Sequence, residues 1–195
     1  MRYLVRVENR GRRASRDSIA EMKETLSGTG LPRHENFRVS NVAVEFDLYE
    51  DSADRLDGDL RAVTSSLGRI LSVRNLSEAE EPRTLEGSVE LAKEMYREER
   101  FWEVHEELES QWRRFPRGTP EKEVLQGLIL LAAAYVHLQK GEGEVAVSIL
   151  RRASQRLEAF GSGSYRGLDI GSLRRSLEAM EGDGVARIVE LPLVV

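Results

Sequence analysis

Phe37-Arg-Val-Ser-Asn-Val-Ala-Val-Glu-Phe-Asp-Leu-Tyr49 holds the clearest strand signal in the chain. Val42, Val44, Phe46 and Leu48 alternate with polar or small residues, the period-2 pattern of a half-buried strand. Phe37 to Val39 either form a short preceding strand turned at Ser40-Asn41 or extend the main one. Upstream, Tyr3, Val5 and Val7 alternate with Leu4, Arg6 and Glu8. Between these strands, Ser15 or Asp17 can cap a helix running to about Leu26, with Ile19, Met22 and Leu26 on one face. Gly28, Gly30 and Pro32 end it. Downstream, Leu56, Leu60, Val63 and Leu67 recur at helical spacing, and a short strand covers Leu71 to Leu76. The order β-α-(β)-β-α-β over residues 1–76 predicts a small ferredoxin-like α/β domain, two helices on one face of an antiparallel sheet.

Residues 77–83, Ser-Glu-Ala-Glu-Glu-Pro-Arg, are polar and proline-bearing and read as a linker. From Thr84 the period becomes helical. Val89, Ala92, Met95 and Tyr96 mark a first helix; Phe101, Val104, Leu108 and Trp112 mark a second, ended by Pro116-Arg-Gly118. Thr119-Pro120-Glu121 starts a third, with a hydroxyl cap, proline in the first turn and a carboxylate at the positive dipole end. That helix is apolar nearly all round, as a central element should be. Val145, Ile149, Ala153 and Leu157 mark a fourth, and a fifth runs from about Ile170 to Met180, capped by Asp169. Residues 84–181 thus predict a bundle of about five helices, and the fold class is α+β. Residues 185–195 are strand-like and too apolar to stay in water. They are expected to return to an edge of the amino-terminal sheet, where Pro192 suits an edge position, or to pack on a partner subunit.

A chain of 195 residues, 40% hydrophobic and 32% charged, has the composition of an ordinary globular protein. It has no cysteine, which excludes disulfides, thiolate metal sites and a cysteine nucleophile. That fits a cytoplasmic setting. The amino terminus lacks a signal peptide's apolar stretch. The longest apolar run, Leu125 to Leu138, includes Gln126 and His137 and falls short of the roughly 20 residues a bilayer requires. No membrane association is expected. The net charge of −5 argues against a nucleic-acid partner. Arg10-Gly-Arg-Arg-Ala-Ser-Arg16 is a local exception that could hold a phosphate or an acidic partner. Without interleaved aromatics it reads as a solvated basic loop.

The helical half, about residues 85–181, resembles the domain of unknown function 309 family. The resemblance lies in Phe101-x-Glu-x-His-Glu-x-Leu-Glu-x-x-Trp112, in Gln126-Gly-Leu-Ile129 with Ala132-Ala133 and His137, and in Gly167-Leu-Asp169. It implies a compact all-helical bundle with no established activity. The family's Arg-Gly-Asn-x-x-Gly-Ala turn appears here as Lys140-Gly-Glu-Gly-Glu-Val-Ala146, so its asparagine is lost.

Two of the three histidines lie in this half, inside apolar helical patterns. On a helix His105 and Glu109 share a face, with Glu106 about 100° round. His105 is in register with Phe101, Leu108 and Trp112, so it is expected to face inward. If the second and third helices pack antiparallel, His137 and Gln126 come within reach of the same region. His105, Glu106, Glu109, Gln126, His137 and Trp112 therefore form the candidate site. One reading is a satisfied polar network that fixes helix register. A second is a binding or interaction module for a small molecule or protein. A third, the alternative class, is a metal-dependent enzyme, a hydrolase, with a divalent metal on His105, Glu109 and His137. The motif is His-Glu-x-x-Glu, so helix spacing alone supplies one histidine, unlike the His-Glu-x-x-His of zinc proteases.

Overall fold

In the computed structural model, which describes residues 1–78, 81–161 and 163–194, the alternation around Phe46 becomes a strand of an antiparallel sheet. Ala79 and Glu80 of the expected linker, Ser162 and the terminal Val195 lie outside the described residues. The chain divides into two compact units, Met1–Glu81 with Gln139–Gly141, and Pro82–Leu138 with Glu142–Val195.

The first unit carries β1 (Arg2–Glu8), α1 (Arg16–Ser27), β2 (His34–Val39), β3 (Ala43–Tyr49), α2 (Ala53–Leu67) and β4 (Ile70–Asn75). The strands lie in the order β2-β3-β1-β4 with every neighbour antiparallel, the ferredoxin-like arrangement. Ser15, rather than Asp17, caps α1: its hydroxyl accepts the Ser18 amide at 3.2 Å. Phe37–Val39 belongs to a separate strand, because the chain reverses at Ser40. The Ser40 hydroxyl accepts the amides of Val42 and Ala43, and its own amide donates to the Ala43 carbonyl at 2.8 Å. Val42 therefore sits in the turn rather than in the strand and is 45% exposed.

One sheet face is apolar because Tyr3, Val5 and Val7 pair in register with Leu48, Phe46 and Val44. Met22 and Leu26 of α1 and Val63 and Leu67 of α2 complete this core, and Phe37 stacks on Phe46 at 4.9 Å between centroids. The alternate positions of the same strands carry charge and are buried nonetheless. Arg6, Glu45 and Arg38 stand opposite one another across three strands. Glu45 accepts from Arg6 Nε at 2.9 Å and from Arg38 Nε at 3.4 Å. Beside it, Asp47 accepts from Arg2 Nη2 at 2.8 Å and Asn36 Nδ2 at 2.6 Å. A carboxylate with almost no water access is tolerable only when so partnered.

The second unit carries α3 (Leu85–Arg97), α4 (Phe101–Trp112), α5 (Pro120–Gln139), α6 (Gly143–Glu158), a hairpin of β5 (Ser164–Tyr165) and β6 (Leu168–Asp169), and α7 (Ile170–Asp183). Helix α5 is buried round most of its circumference through Val124, Leu125, Leu131, Ala132, Ala134 and Tyr135. Its close approach to α6 depends on Gly127: a Cβ there would lie 2.6 Å from Cγ and Cδ2 of Leu157. The hairpin turns at Arg166-Gly167, both with positive φ (48° and 78°), as a two-residue turn of the primed type requires. Asp169 caps α7, its carboxylate accepting the Ser172 amide at 2.9 Å.

The carboxy-terminal segment does not return to the amino-terminal sheet. It forms an extended strap on the helical unit, joined to β6 by an isolated bridge between Leu168 and Leu193. The Asp169 amide donates to the Pro192 carbonyl at 2.8 Å, and the Val194 amide to Gly167 at 2.9 Å. Tyr96 donates its hydroxyl to the Val189 carbonyl at 2.6 Å, while the Val189 amide donates to the Tyr135 hydroxyl. Ala186, Ile188, Val189 and Leu191 pack against the bundle core. The open edge of β6 supplies backbone partners, and the bundle supplies the apolar cover.

Two substitutions test this packing. Glu45→Ala removes the carboxylate that Arg6 and Arg38 share and is expected to cost about 3–5 kcal/mol, read as a lowered urea midpoint. Gly127→Ala gains about 1 kcal/mol of helix propensity but overpacks against the fully buried Leu157, a cost of about 1–3 kcal/mol. The net expectation is a lower midpoint; a raised one would mean that α5 and α6 part without penalty.

Candidate functional site

Helix α4 buries Phe101, Val104 and Leu108, and with them Glu103, Glu107 and Gln111. Successive residues turn by about 100°, so the buried arc centres near Gln111 and Val104. His105 lies roughly 110° from that centre by the same geometry. It is consequently at the edge of the helix face, with its side chain 29% exposed, and not inside the bundle as its register with Phe101 and Leu108 suggested. The expectation failed because polar residues, not apolar ones, set the rotation.

Those polar residues form the buried network that the sequence reading had centred on His105. Arg100 grips Glu103 through two bonds of 2.8 Å, and Glu103 is the main reason the guanidinium holds its proton more tightly than usual. Glu107 accepts from Arg83 at 3.1 Å. Gln111 donates to the Ser88 hydroxyl at 2.9 Å and accepts from Arg114 at 2.8 Å. The signal was present in the sequence as Glu103, Glu107 and Gln111, spaced at i, i+4 and i+8 with Arg100 one turn before.

At the edge of α4, His105, Glu106 and Glu109 each offer a donor atom, and these atoms lie within 4.8 Å of one another. His105 Nδ1 is 3.3 Å from Glu106 Oε1. One oxygen of Glu109 pairs with Arg113 Nη2 at 3.0 Å, which orients the carboxylate. His137 is not part of this group. Its Nδ1 meets Glu142 Oε2 at 2.5 Å, and the Glu142 amide donates to the His137 carbonyl at 2.9 Å. That pair closes the turn between α5 and α6, the turn in which the family's asparagine is missing. Gln126 is half-buried on α5. Trp112 is half-buried too, with Lys122 Nζ 3.9 Å from its ring centroid. The same ammonium donates to the carbonyls of Trp112 and Phe115, so this pair ties off the end of α4.

Two cavities of the helical unit are lined by other residues. One, of about 20 Å³, is apolar and lies between Val89, Tyr96, Leu108, Leu131 and Leu191. The other, a groove of about 490 Å³, follows the strap past Lys93, Arg97, Ile188, Glu190 and Leu193. The candidate donors thus stand on an accessible helix edge. Among the described residues no helix is long and apolar enough to cross a membrane.

Residues 89–149 match the family described as a domain of unknown function (DUF309). The match runs from Val89 in α3 to Ile149 in α6 and contains α4 and α5 entire. The match lies within the helical half, over a narrower span than the resemblance anticipated, and Gly167-Leu168-Asp169 lies beyond it. No curated protein matches the chain.

The rotation of α4 predicts opposite outcomes at neighbouring positions. Glu103→Ala leaves Arg100 without its bidentate acceptor and is expected to lower stability by about 1–3 kcal/mol. His105→Ala removes a partly exposed ring and is expected to cost under about 1 kcal/mol. Chemical denaturation of both proteins reads the contrast, and equal losses would contradict it.

Proposed function

We propose that the helical unit is a binding module that takes a divalent cation at the edge of α4, with His105, Glu106 and Glu109 as its protein ligands. The observation that carries this reading is the convergence of one imidazole and two carboxylates within 4.8 Å. With metal–ligand bonds of about 2.0–2.2 Å, two donors on one ion can lie at most about 4.4 Å apart. The His105–Glu106 separation of 3.3 Å already meets that limit, and a small side-chain rotation brings in Glu109. Imidazole and carboxylate together suit zinc, manganese or iron. A cation held at a helix edge keeps coordination positions open to solvent, so an anionic group of a small molecule or protein could complete its shell.

The same arrangement supports the alternative of a metal-dependent hydrolase. An ion with open positions polarises a carbonyl or phosphoryl oxygen and lowers the pKa of bound water. The two readings separate on turnover.

Calorimetric titration of chelator-treated protein with zinc and manganese tests the proposal. Saturable binding is expected in the wild type, lost in His105→Ala and Glu109→Gln and kept in His137→Ala. Wild-type binding by the His105→Ala protein would move the site elsewhere. Hydrolysis of a chromogenic phosphate or carboxylate ester by the metal-loaded wild type, absent in Glu109→Gln, would advance the enzyme reading.

A further inference from the structure

We infer a second site, in the first unit: the loop Arg10–Arg16 and the turn Leu67–Arg69 form a receptor for a phosphate-bearing anion. The loop is built to hold a shape. Asn9, just after β1, accepts the Arg12 amide on its side-chain oxygen at 2.8 Å. Its side-chain nitrogen donates back to the Arg12 carbonyl at 3.0 Å and to the Ser40 carbonyl at 2.6 Å. Arg12 is thereby clasped at both backbone groups, and Gly11, at φ +85°, makes the bend that the clasp requires.

Three guanidiniums meet at the end of β1. Arg12 Nη2 donates to the Leu67 carbonyl at 3.1 Å, while its Nη1 is buried and has no hydrogen-bond acceptor. The Arg10 guanidinium lies against the backbone of Gly68, where a Cβ would stand 3.2 Å from Nε. Arg69 Nη2 is 2.9 Å from Glu8 Oε1, and Arg10 Nε is 3.7 Å from the other Glu8 oxygen. Two arginines thus share one carboxylate, whose pKa they hold below its ordinary value, Arg69 the more strongly. Arg13 and Arg16, on the same loop, are exposed and make no ion pair among the described residues. Asp17 and Glu21, the nearest carboxylates along α1, form no ion pair with them among the described residues.

The segment is dense in positive charge, with four arginines in the seven residues 10–16. Acidic residues outnumber lysine and arginine by 34 to 29. Arg10 and Arg69 share Glu8, whereas Arg12, Arg13 and Arg16 have no carboxylate within ion-pair distance among the described residues. Every cation in the cluster is arginine, whose planar fork of donors matches phosphate oxygens in pairs. The positive end of α1 begins in the same loop and adds in the same sense.

Inorganic pyrophosphate is the probe, titrated into isotope-labelled full-length protein at low salt. Amide shifts are expected at residues 10–16 and 67–69, with a dissociation constant that rises with salt as exposed charges are screened. Arg12→Gln and the double variant Arg13→Gln/Arg16→Gln are each expected to weaken binding about tenfold. The double variant alters exposed, unpaired side chains and so keeps the fold. Arg33→Gln, an exposed arginine outside the cluster, should leave affinity unchanged. A nucleoside diphosphate binding as pyrophosphate does would mean that the phosphates alone are read; tighter binding would mean that the nucleoside is read as well. The inference is overturned if pyrophosphate leaves the loop amides unmoved, or if Arg33→Gln weakens binding as much as Arg12→Gln. It is equally overturned if an acidic peptide or duplex DNA binds and pyrophosphate does not compete.

Discussion

The paired grip of Arg100 on Glu103 decides how α4 sits, and the candidate site depends on that rotation. A charged pair with two short, parallel bonds tolerates little angular error. Glu107 and Gln111 repeat the constraint one and two turns along, through Arg83 and Ser88. Three polar anchors on one line of the helix fix its phase more tightly than Phe101, Val104 and Leu108 could. Hydrophobic contact is non-directional and would accept a range of rotations. With the phase so set, His105, Glu106 and Glu109 fall together at the water's edge. A rotation that buried His105 would have carried Glu103 and Glu107 toward solvent and given up their bonds.

The first unit uses buried charge in a different way. There Glu45 bridges Arg6 and Arg38 across three strands, so the pairs specify register rather than rotation. A slip of one residue would set apolar side chains against guanidiniums on both sheet faces. Such a bridge adds little net stability over a well-packed apolar substitute, because desolvation offsets most of its attraction. Its effect is on the alternatives: a misregistered sheet would hold unpaired buried charge, at several kcal/mol for each ion.

These features explain which parts of the protein were legible in its sequence. Strand and helix positions were, because Tyr3-Val5-Val7, Val44-Phe46-Leu48 and the stripes of α3 to α7 keep one period for long enough to read. The ferredoxin-like arrangement followed from the alternation of elements. His105, Glu106 and Glu109 were legible as candidates, and helix geometry put His105 and Glu109 on one face with Glu106 about 100° round. Their exposure was not, since an apolar stripe is a poor guide to phase when glutamates and a glutamine share the buried face. The turn at Ser40-Asn41 was legible only as one of two readings, because Val42 continues the alternation of β3 and leaves it only through the bonds Ser40 makes. His137 looked like a partner for His105, whereas Glu142, five residues on, satisfies it locally.

The strap was the least legible element, since its partner is an edge made by the two-residue strands β5 and β6. Once docked, however, it joins the architecture that carries the site. Its Val189 bridges the hydroxyls of Tyr96 and Tyr135, whose pKa values burial pushes upward, so both stay protonated and able to donate. Those rings pack on Phe101, at centroid distances of 5.1 Å and 4.9 Å. Phe101 is the first residue of α4, and Arg100, which precedes it, holds Glu103. Contact is therefore continuous from the strap through two tyrosines and a phenylalanine to the anchor that sets the helix phase. An apolar tail docked on the edge of β6 thus packs, through these rings, against the helix on which the metal-ligand candidates stand.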